Sequence, residues 1–240
     1  MVEQCLILVG GRGTRLGRLT DDTPKPLVPV AGRPFLDWLL ERLAGRGLAE
    51  IVLLAGYLGE RFVERYDGKR IGATALRCVI EDAPRGTGGA LAAVPGLAEE
   101  FFMMNGDSLF DVDLAALAGL PADEGWLGKL ALRGLPDTSR SGVVTVSSEG
   151  RIDGFAERGG PEPGLINGGV YLLRRAILDR LLPSPCSIER DVFPALAAEG
   201  RLWGRAFDAY FIDIGVPEDL ARAQIEVPRR HRPTPGERRP

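Results

Sequence analysis

A mixed, mostly parallel α/β sheet with helices on both faces is the fold this sequence predicts. Three observations carry it. Short apolar runs alternate with helical periodicity along most of the chain, the pattern of strands joined through crossover helices. The first run, CLILV, opens into a glycine loop, GGRG, whose amides can approach a phosphate closely. Near residue 142 the alternation gives way to VVTVSSEGRIDGF. There, two apolar runs separated by Ser-Glu-Gly read as a β-hairpin, a small substrate subregion interrupting the sheet.

The strand candidates are 5–9, 51–55, 75–80, 101–105, 127–132, 142–146, 170–173 and 209–214. Between the first two, Phe35, Leu36, Leu39, Leu40 and Leu43 recur at helical spacing, and Pro34 suits a first turn, where its missing N–H costs nothing. Further helices are expected at 58–66, 89–93, 114–118, 175–182, 190–199 and 218–225. Asp113, just before LAALAG, has the position of a helix cap. With 45% hydrophobic residues one catalytic domain is expected over 1–227. The Pro- and Arg-rich stretch 228–240 lacks apolar periodicity and reads as a disordered basic tail.

Composition removes several kinds of chemistry. A net charge of -3 and a pI near 5.4 give no general attraction to nucleic acid or to anionic membranes. No apolar run approaches the ~20 residues of a membrane span, and no leader pattern precedes the first strand, so a cytoplasmic protein is expected. Cys5, Cys78 and Cys186 fall in separate segments and form neither a disulfide framework nor a zinc motif; they read as small apolar fillers. The only histidine, His231, lies in the tail, so catalysis in the folded part must rest on carboxylates, cations and backbone amides. Lysine is scarce, with three among 30 basic residues, yet one of them is Lys25 inside TPKPL.

The opening stretch LVGGRGTRLGRLTDDTPKPLVPVAGRP fits neither common phosphate loop. A dinucleotide fingerprint needs a third glycine where Leu16 stands. A P-loop needs Gly-Lys followed by Ser or Thr, and neither Gly68 nor Gly128 begins such a triplet. What remains is a glycine loop after a strand, with Arg15 able to supply charge.

The whole stretch resembles the signature of sugar-1-phosphate nucleotidyltransferases, in which G-G-x-G-T-R-L is followed by P-K-P/A-L and G-x-P. The resemblance spans roughly residues 3 to 226, and it implies a Rossmann-like nucleotidyltransferase fold. It further implies that Gly10, Gly11, Gly13 and Thr14 hold the nucleotide phosphates. Arg15 would contact those phosphates and the departing pyrophosphate, and Lys25 would reach the reacting phosphates. Gly86 and Thr87 in GTGGA match the family's second glycine segment beside the base. Asp107 in NGD and Asp213 in FIDIG match its two Mg²⁺-binding aspartates. An unpaired buried aspartate in an apolar strand costs several kcal/mol, which metal ligation relieves. On the sugar side, GFAERG and INGGVYLL match the family's F-x-E-K and N-x-G-x-Y/F segments, which implies that Glu157 accepts hydrogen bonds from sugar hydroxyls, that Asn167 lies at the sugar with Gly142 as a backbone contact, and that Arg158 binds the sugar phosphate. Arg158 stands where the family usually has lysine, and Ser141 where an aromatic residue often precedes the glycine.

Within the family, GLINGGVYLL with FIDIGVPEDL, and the absence of an acyltransferase extension, look most like manno-heptose 1-phosphate guanylyltransferases. The implied partners are a nucleoside triphosphate and a sugar 1-phosphate, with Mg²⁺ as cofactor and without nucleic acid or membrane. Glu81 occupies the family's base-reading position, where an acceptor-only carboxylate matches the two adjacent donors of guanine and so favours GTP. Uridylyl or thymidylyl transfer to a hexose or N-acetylmuramate 1-phosphate is the competing reading, and a non-catalytic regulatory homologue is another. The sequence leaves the oligomeric state open, a homo-oligomer included.

Overall fold

The structure is a computed structural model that describes residues 1–230 except Arg12, Arg140 and Ser184. The chain divides into two compact units. The first is assembled from 1–82, 105–109 and the C-terminal segment from Phe211; the second comprises 83–104 and 110–210.

In the first unit the strands Gln4–Leu8, Glu50–Ala55 and Thr74–Ile80 run parallel, Glu50–Ala55 in the middle, and Arg70–Ile71 adds an antiparallel edge. Each parallel step needs a crossover, and the helices Phe35–Leu43 and Glu60–Tyr66 supply them. The spacing read from the sequence is met: Phe35, Leu36 and Leu40 are fully buried with Leu6, Ile7, Ile51 and Leu53 of the strands. Burial of each such side chain contributes about 1.5–3 kcal/mol, which is why a helix of nine residues holds.

In the second unit the long strand Gly164–Arg174 lies between Glu100–Asn105 and Gly128–Leu135, antiparallel to both. Leu202–Ala206, absent from the sequence reading, adds in parallel to Gly128–Leu135. The expected hairpin is present as Val143–Val146 against Ile152–Ala156. Asp113 caps the helix Leu114–Ala118 by accepting from Ala115 N (2.9 Å) and Ala116 N (3.3 Å).

Two expected helices differ. Residues 175–182 form a 3-10 helix, Arg175–Arg180, and 190–199 begin as a π-turn, Ile188–Val192, before an α-helix Phe193–Ala198. The last helix, Pro217–Arg230, continues past the expected tail boundary because Val227 is fully buried and anchors its final turns. The rest of the expected tail, with His231, lies outside the described residues. Among the described residues no helix is long and apolar enough to cross a membrane. The three cysteines are free, Cys5 and Cys186 buried.

Candidate active site

The glycine loop and the lysine turn are built against each other. Gly13 has φ 64°, and a β-carbon there would lie 2.9 Å from Lys25 Cβ, so only glycine fits. The buried Thr20 hydroxyl donates to Gly13 O (3.1 Å) and shares the contact with Gly17 O (3.0 Å), pinning the loop. Lys25 begins a single 3-10 turn between Pro24 and Pro26, whose fixed φ angles set the turn, and it is only 5% exposed. Gly10 approaches the next strand's end so closely that a β-carbon would sit 3.0 Å from Gly56 N. Gly11 is exposed with open space around it, and Thr14 opens the 3-10 helix Thr14–Thr20 that carries the exposed Arg15.

Asp107 follows a glycine for a steric reason. Gly106 N donates to Leu8 O (2.9 Å), and a β-carbon at 106 would collide with that oxygen and with Val9. The aspartate is thereby delivered at the end of the first strand. Asp213 ends the strand Phe211–Asp213, and Ile214 N donates to Asp107 O (3.0 Å), setting the two aspartate-bearing segments side by side.

One ammonium joins them. Lys25 Nζ donates to Asp107 Oδ2 at 2.7 Å and to Asp213 Oδ1 at 3.2 Å. Asp213 Oδ1 also accepts from Gly215 N at 2.7 Å. A β-carbon at Gly215 would lie 2.9 Å from Asp213 Oδ1, 2.9 Å from Lys25 Nζ and 3.4 Å from Arg15 Nη2. Arg15, Lys25 and both aspartates, expected from sequence as one group, therefore come together. The difference lies in Lys25, which the sequence reading aimed at phosphate and the structure pairs with both carboxylates.

That geometry bears on the expected Mg²⁺. Among the described residues no group of three or more His, Cys, Asp or Glu side chains is placed to hold a metal ion. The two aspartates nevertheless converge on one cationic point, and they offer hard carboxylate oxygens. Mg²⁺ characteristically takes one or two protein carboxylates and completes its octahedron with water and phosphate oxygens. The donor set fits that ion.

Glu81 is half-buried beside the loop. A β-carbon on Gly56 would lie 3.2 Å from Gly10 O and 3.3 Å from Glu81 Oε2, so the carboxylate and the first glycine of the loop flank the same residue.

In the second unit the GTGG segment opens the helix Gly86–Ala92 and packs on the Cys186 segment, a partner that the sequence does not indicate. Gly86 has φ 74°, and its missing side chain admits the Cys186 backbone; Gly88 N donates to Cys186 O at 2.8 Å. The Thr87 hydroxyl, expected at the nucleotide, accepts from Ile188 N (2.8 Å) and donates to Glu189 Oε2 (3.0 Å).

The same unit contains a cavity of about 810 Å³ lined by Gly142, Phe155, Glu157, Asn167, Glu189 and Asp191 among others. Three of the four expected sugar-side residues line it, and Arg158 is exposed next to Glu157. Asn167 is oriented by its own strand: its Oδ1 accepts from Gly169 N and its Nδ2 donates to Tyr171 OH, both at 2.9 Å. A bulge between Asn167 and Val170 turns this stretch out of the ladder. The aromatic wall that Ser141 does not provide comes from Phe155, stacked on Phe193 with centroids 6.4 Å apart. Phe193 meets Tyr171 edge-on at 5.2 Å.

Comparison with known proteins agrees in kind. Residues 4–230 match the family described as Nucleotidyl transferase. The chain is 36% identical over 231 residues to the D-glycero-alpha-D-manno-heptose 1-phosphate guanylyltransferase of Aneurinibacillus thermoaerophilus, covering 93% of this chain and 98% of that protein. It is also 36% identical over 238 residues to the mannose-1-phosphate guanylyltransferase of Mycobacterium tuberculosis, covering 96% of this chain and 66% of that longer protein. Among solved structures, HddC from Yersinia pseudotuberculosis complexed with GMP-PN superposes with a TM-score of 0.78 at 30% identity, over 93% of this chain and 98% of that one.

Proposed function

The chain belongs to the sugar-1-phosphate nucleotidyltransferases and has their Rossmann-like α/β fold with a mixed, mostly parallel sheet; from that premise we propose that it transfers guanylyl from GTP to a manno-configured heptose or hexose 1-phosphate. The convergence of Arg15, Lys25, Asp107 and Asp213 around Gly215 is the observation that carries the reading.

A sugar 1-phosphate is mostly a dianion at pH 7, its second pKa being about 6. Its oxygen can attack the α-phosphorus of the triphosphate without a general base, so the lack of histidine among residues 1–230 is no obstacle. The protein's work is to hold two polyanions in line and offset their charge. Arg15 neutralises the triphosphate tail and then the departing pyrophosphate. Lys25, buried and held by two carboxylates, presents a fixed positive charge that need not be reorganised during transfer. Asp107 and Asp213 would hold Mg²⁺, which when bound supplies charge neutralisation at the phosphate oxygens.

The preference for GTP rests on Glu81. Its carboxylate accepts from guanine N1–H and N2–H₂ together, whereas uracil and thymine present one donor between repelling carbonyl oxygens. A charge-assisted pair of this kind contributes about 1.5–3 kcal/mol, or roughly tenfold to a hundredfold in selectivity. The guanylyltransferase names of the similar proteins point the same way. Pyrophosphate release across GTP, UTP, dTTP and ATP against mannose, manno-heptose, glucose and N-acetylmuramate 1-phosphates tests the reading. GTP with a manno-configured sugar is expected to be fastest. A preference for UTP or dTTP overturns the role of Glu81, as does a Glu81→Gln variant whose selectivity does not move.

A further inference from the structure

The cavity of the second unit contains a carboxylate that none of the sequence motifs assigns. Glu189 is half-buried in the π-turn Ile188–Val192, a kind of helix irregularity that is frequent at functional sites. Donors from three segments fix it. Thr87 Oγ1 donates to Oε2 at 3.0 Å and Ser187 Oγ at 3.3 Å. Tyr171 OH, which accepts from Asn167 Nδ2 at 2.9 Å, stands 3.5 Å from Oε1.

A carboxylate offers about four acceptor positions. The two donors on Oε2 fill that oxygen, whereas Oε1 has only the long contact with Tyr171 OH and so retains acceptor capacity, on a residue that lines the cavity. Glu157, by contrast, is exposed. A glutamate immobilised by three neighbours pays little further ordering cost when it accepts a hydroxyl proton, so it discriminates more sharply than a mobile one. The charge of the lining sharpens this: Glu157, Glu189 and Asp191 stand against Arg190. Asp191 has its Oδ2 engaged by Ser187 N at 2.6 Å.

We propose, building on the assignment of this cavity to the sugar, that Glu189 determines sugar specificity: its fixed Oε1 accepts a sugar hydroxyl, and the acidic lining excludes sugars bearing their own carboxylate. The substrate class is thereby narrowed to neutral polyhydroxylated sugar 1-phosphates. Uronic and muramic acid 1-phosphates are rejected by like-charge juxtaposition, a repulsive element of the kind that specificity requires. Thr87 is then a positioning residue acting through Glu189.

Mannose 1-phosphate and mannuronic acid 1-phosphate differ only at C6, so their ratio of kcat/KM isolates the carboxylate. The wild-type protein should favour the neutral sugar at least a hundredfold. Glu189→Gln keeps the side chain's size and should lower that ratio about tenfold while the KM for GTP stays within twofold; a merely structural role would depress both sugars alike. Thr87→Val should move the ratio in the same direction, and it decides the matter if the glutamine variant does not fold. A wild-type ratio within threefold, or a folded Glu189→Gln protein with an unchanged ratio, overturns the proposal. No pyrophosphate release with any sugar 1-phosphate overturns the functional reading beneath it, and this proposal with it.

Discussion

Removing one buried ammonium tests how the two aspartates are held. In Lys25→Met the stem is replaced by one of similar length and apolar character, while the charge that bridges Asp107 (2.7 Å) and Asp213 (3.2 Å) is lost. At an effective dielectric of about 20, each contact carries roughly 5–6 kcal/mol of attraction before desolvation is counted. The carboxylates are 36% and 41% exposed, so water screens much of this, and desolvation of the buried ammonium offsets more. A net loss of about 1–2 kcal/mol remains. For a domain of this size that lowers Tm by about 3–6 °C in a buffer with chelator. The second half of the experiment is the response to Mg²⁺. With the internal cation gone, the paired carboxylates bind the external one more tightly, so Mg²⁺ titrated during thermal unfolding should raise the variant's Tm more than the wild type's. Turnover should fall even where stability is recovered, since the fixed charge proposed to act at the phosphates is missing. A variant with wild-type Tm in chelator, or the same Mg²⁺-induced shift in both proteins, refutes the reasoning.

Other consequences are equally open to measurement. Gly106→Ala drives a methyl group to 2.8 Å from Leu8 O and 2.7 Å from Val9 Cγ1, and should cost about 1–3 kcal/mol in denaturant unfolding as well as displacing Asp107; superposable unfolding curves would contradict the packing. Gly86→Ala forces a side chain onto the Cys186 backbone at φ 74°. It should weaken the sugar cavity's support, seen as a raised KM for the sugar 1-phosphate before any change in KM for GTP. Glu50 is held below the usual carboxylate range, first by its hydrogen bond from Arg77 and with a smaller contribution from Gln4. A depressed folded-state pKa stabilises above the unfolded value of about 4.3 and ceases to do so as pH falls through the folded value. Glu50→Gln should therefore cost about 0.5–1 kcal/mol at pH 7, as expected for a half-exposed pair, and the two proteins should converge in stability towards the acid limb. A difference that persists unchanged there would refute the linkage.

What the sequence disclosed depended on how local the cause was. The hairpin at 143–156 was legible because Ser-Glu-Gly between apolar runs is a local signal, and the Phe35–Leu43 helix because its burial is written every three or four residues. Asp113 as a cap needs only the next three residues. Arg15, Lys25, Asp107 and Asp213 were singled out through a motif, and their convergence is visible only in three dimensions: Lys25 meets Asp107 from 82 positions away. Thr87 shows the limit. The family resemblance sets GTGG beside the base, but glycine signals close approach without naming what approaches, and the packing of Gly86 and Gly88 against the Cys186 backbone is visible only in the structure. Glu189 escaped notice because a π-turn has no period of its own, and the expected helix began one residue after it, at 190. The strand Leu202–Ala206 was missed because its alternation is cut short by Gly204, which packs where a side chain would strike Ile152 and Leu132.

The first unit is stitched from three separated stretches of chain, and its cationic centre draws on all of them. The lysine arrives at position 25, its first counter-charge at 107 and its second only at 213. A polypeptide emerging in order must therefore keep this charged cluster half-built while the whole intervening unit is laid down. Competence comes late and at once, when a final short strand is threaded home. A fragment ending anywhere before residue 213 would retain the glycine loop and lack the second carboxylate that the ammonium binds.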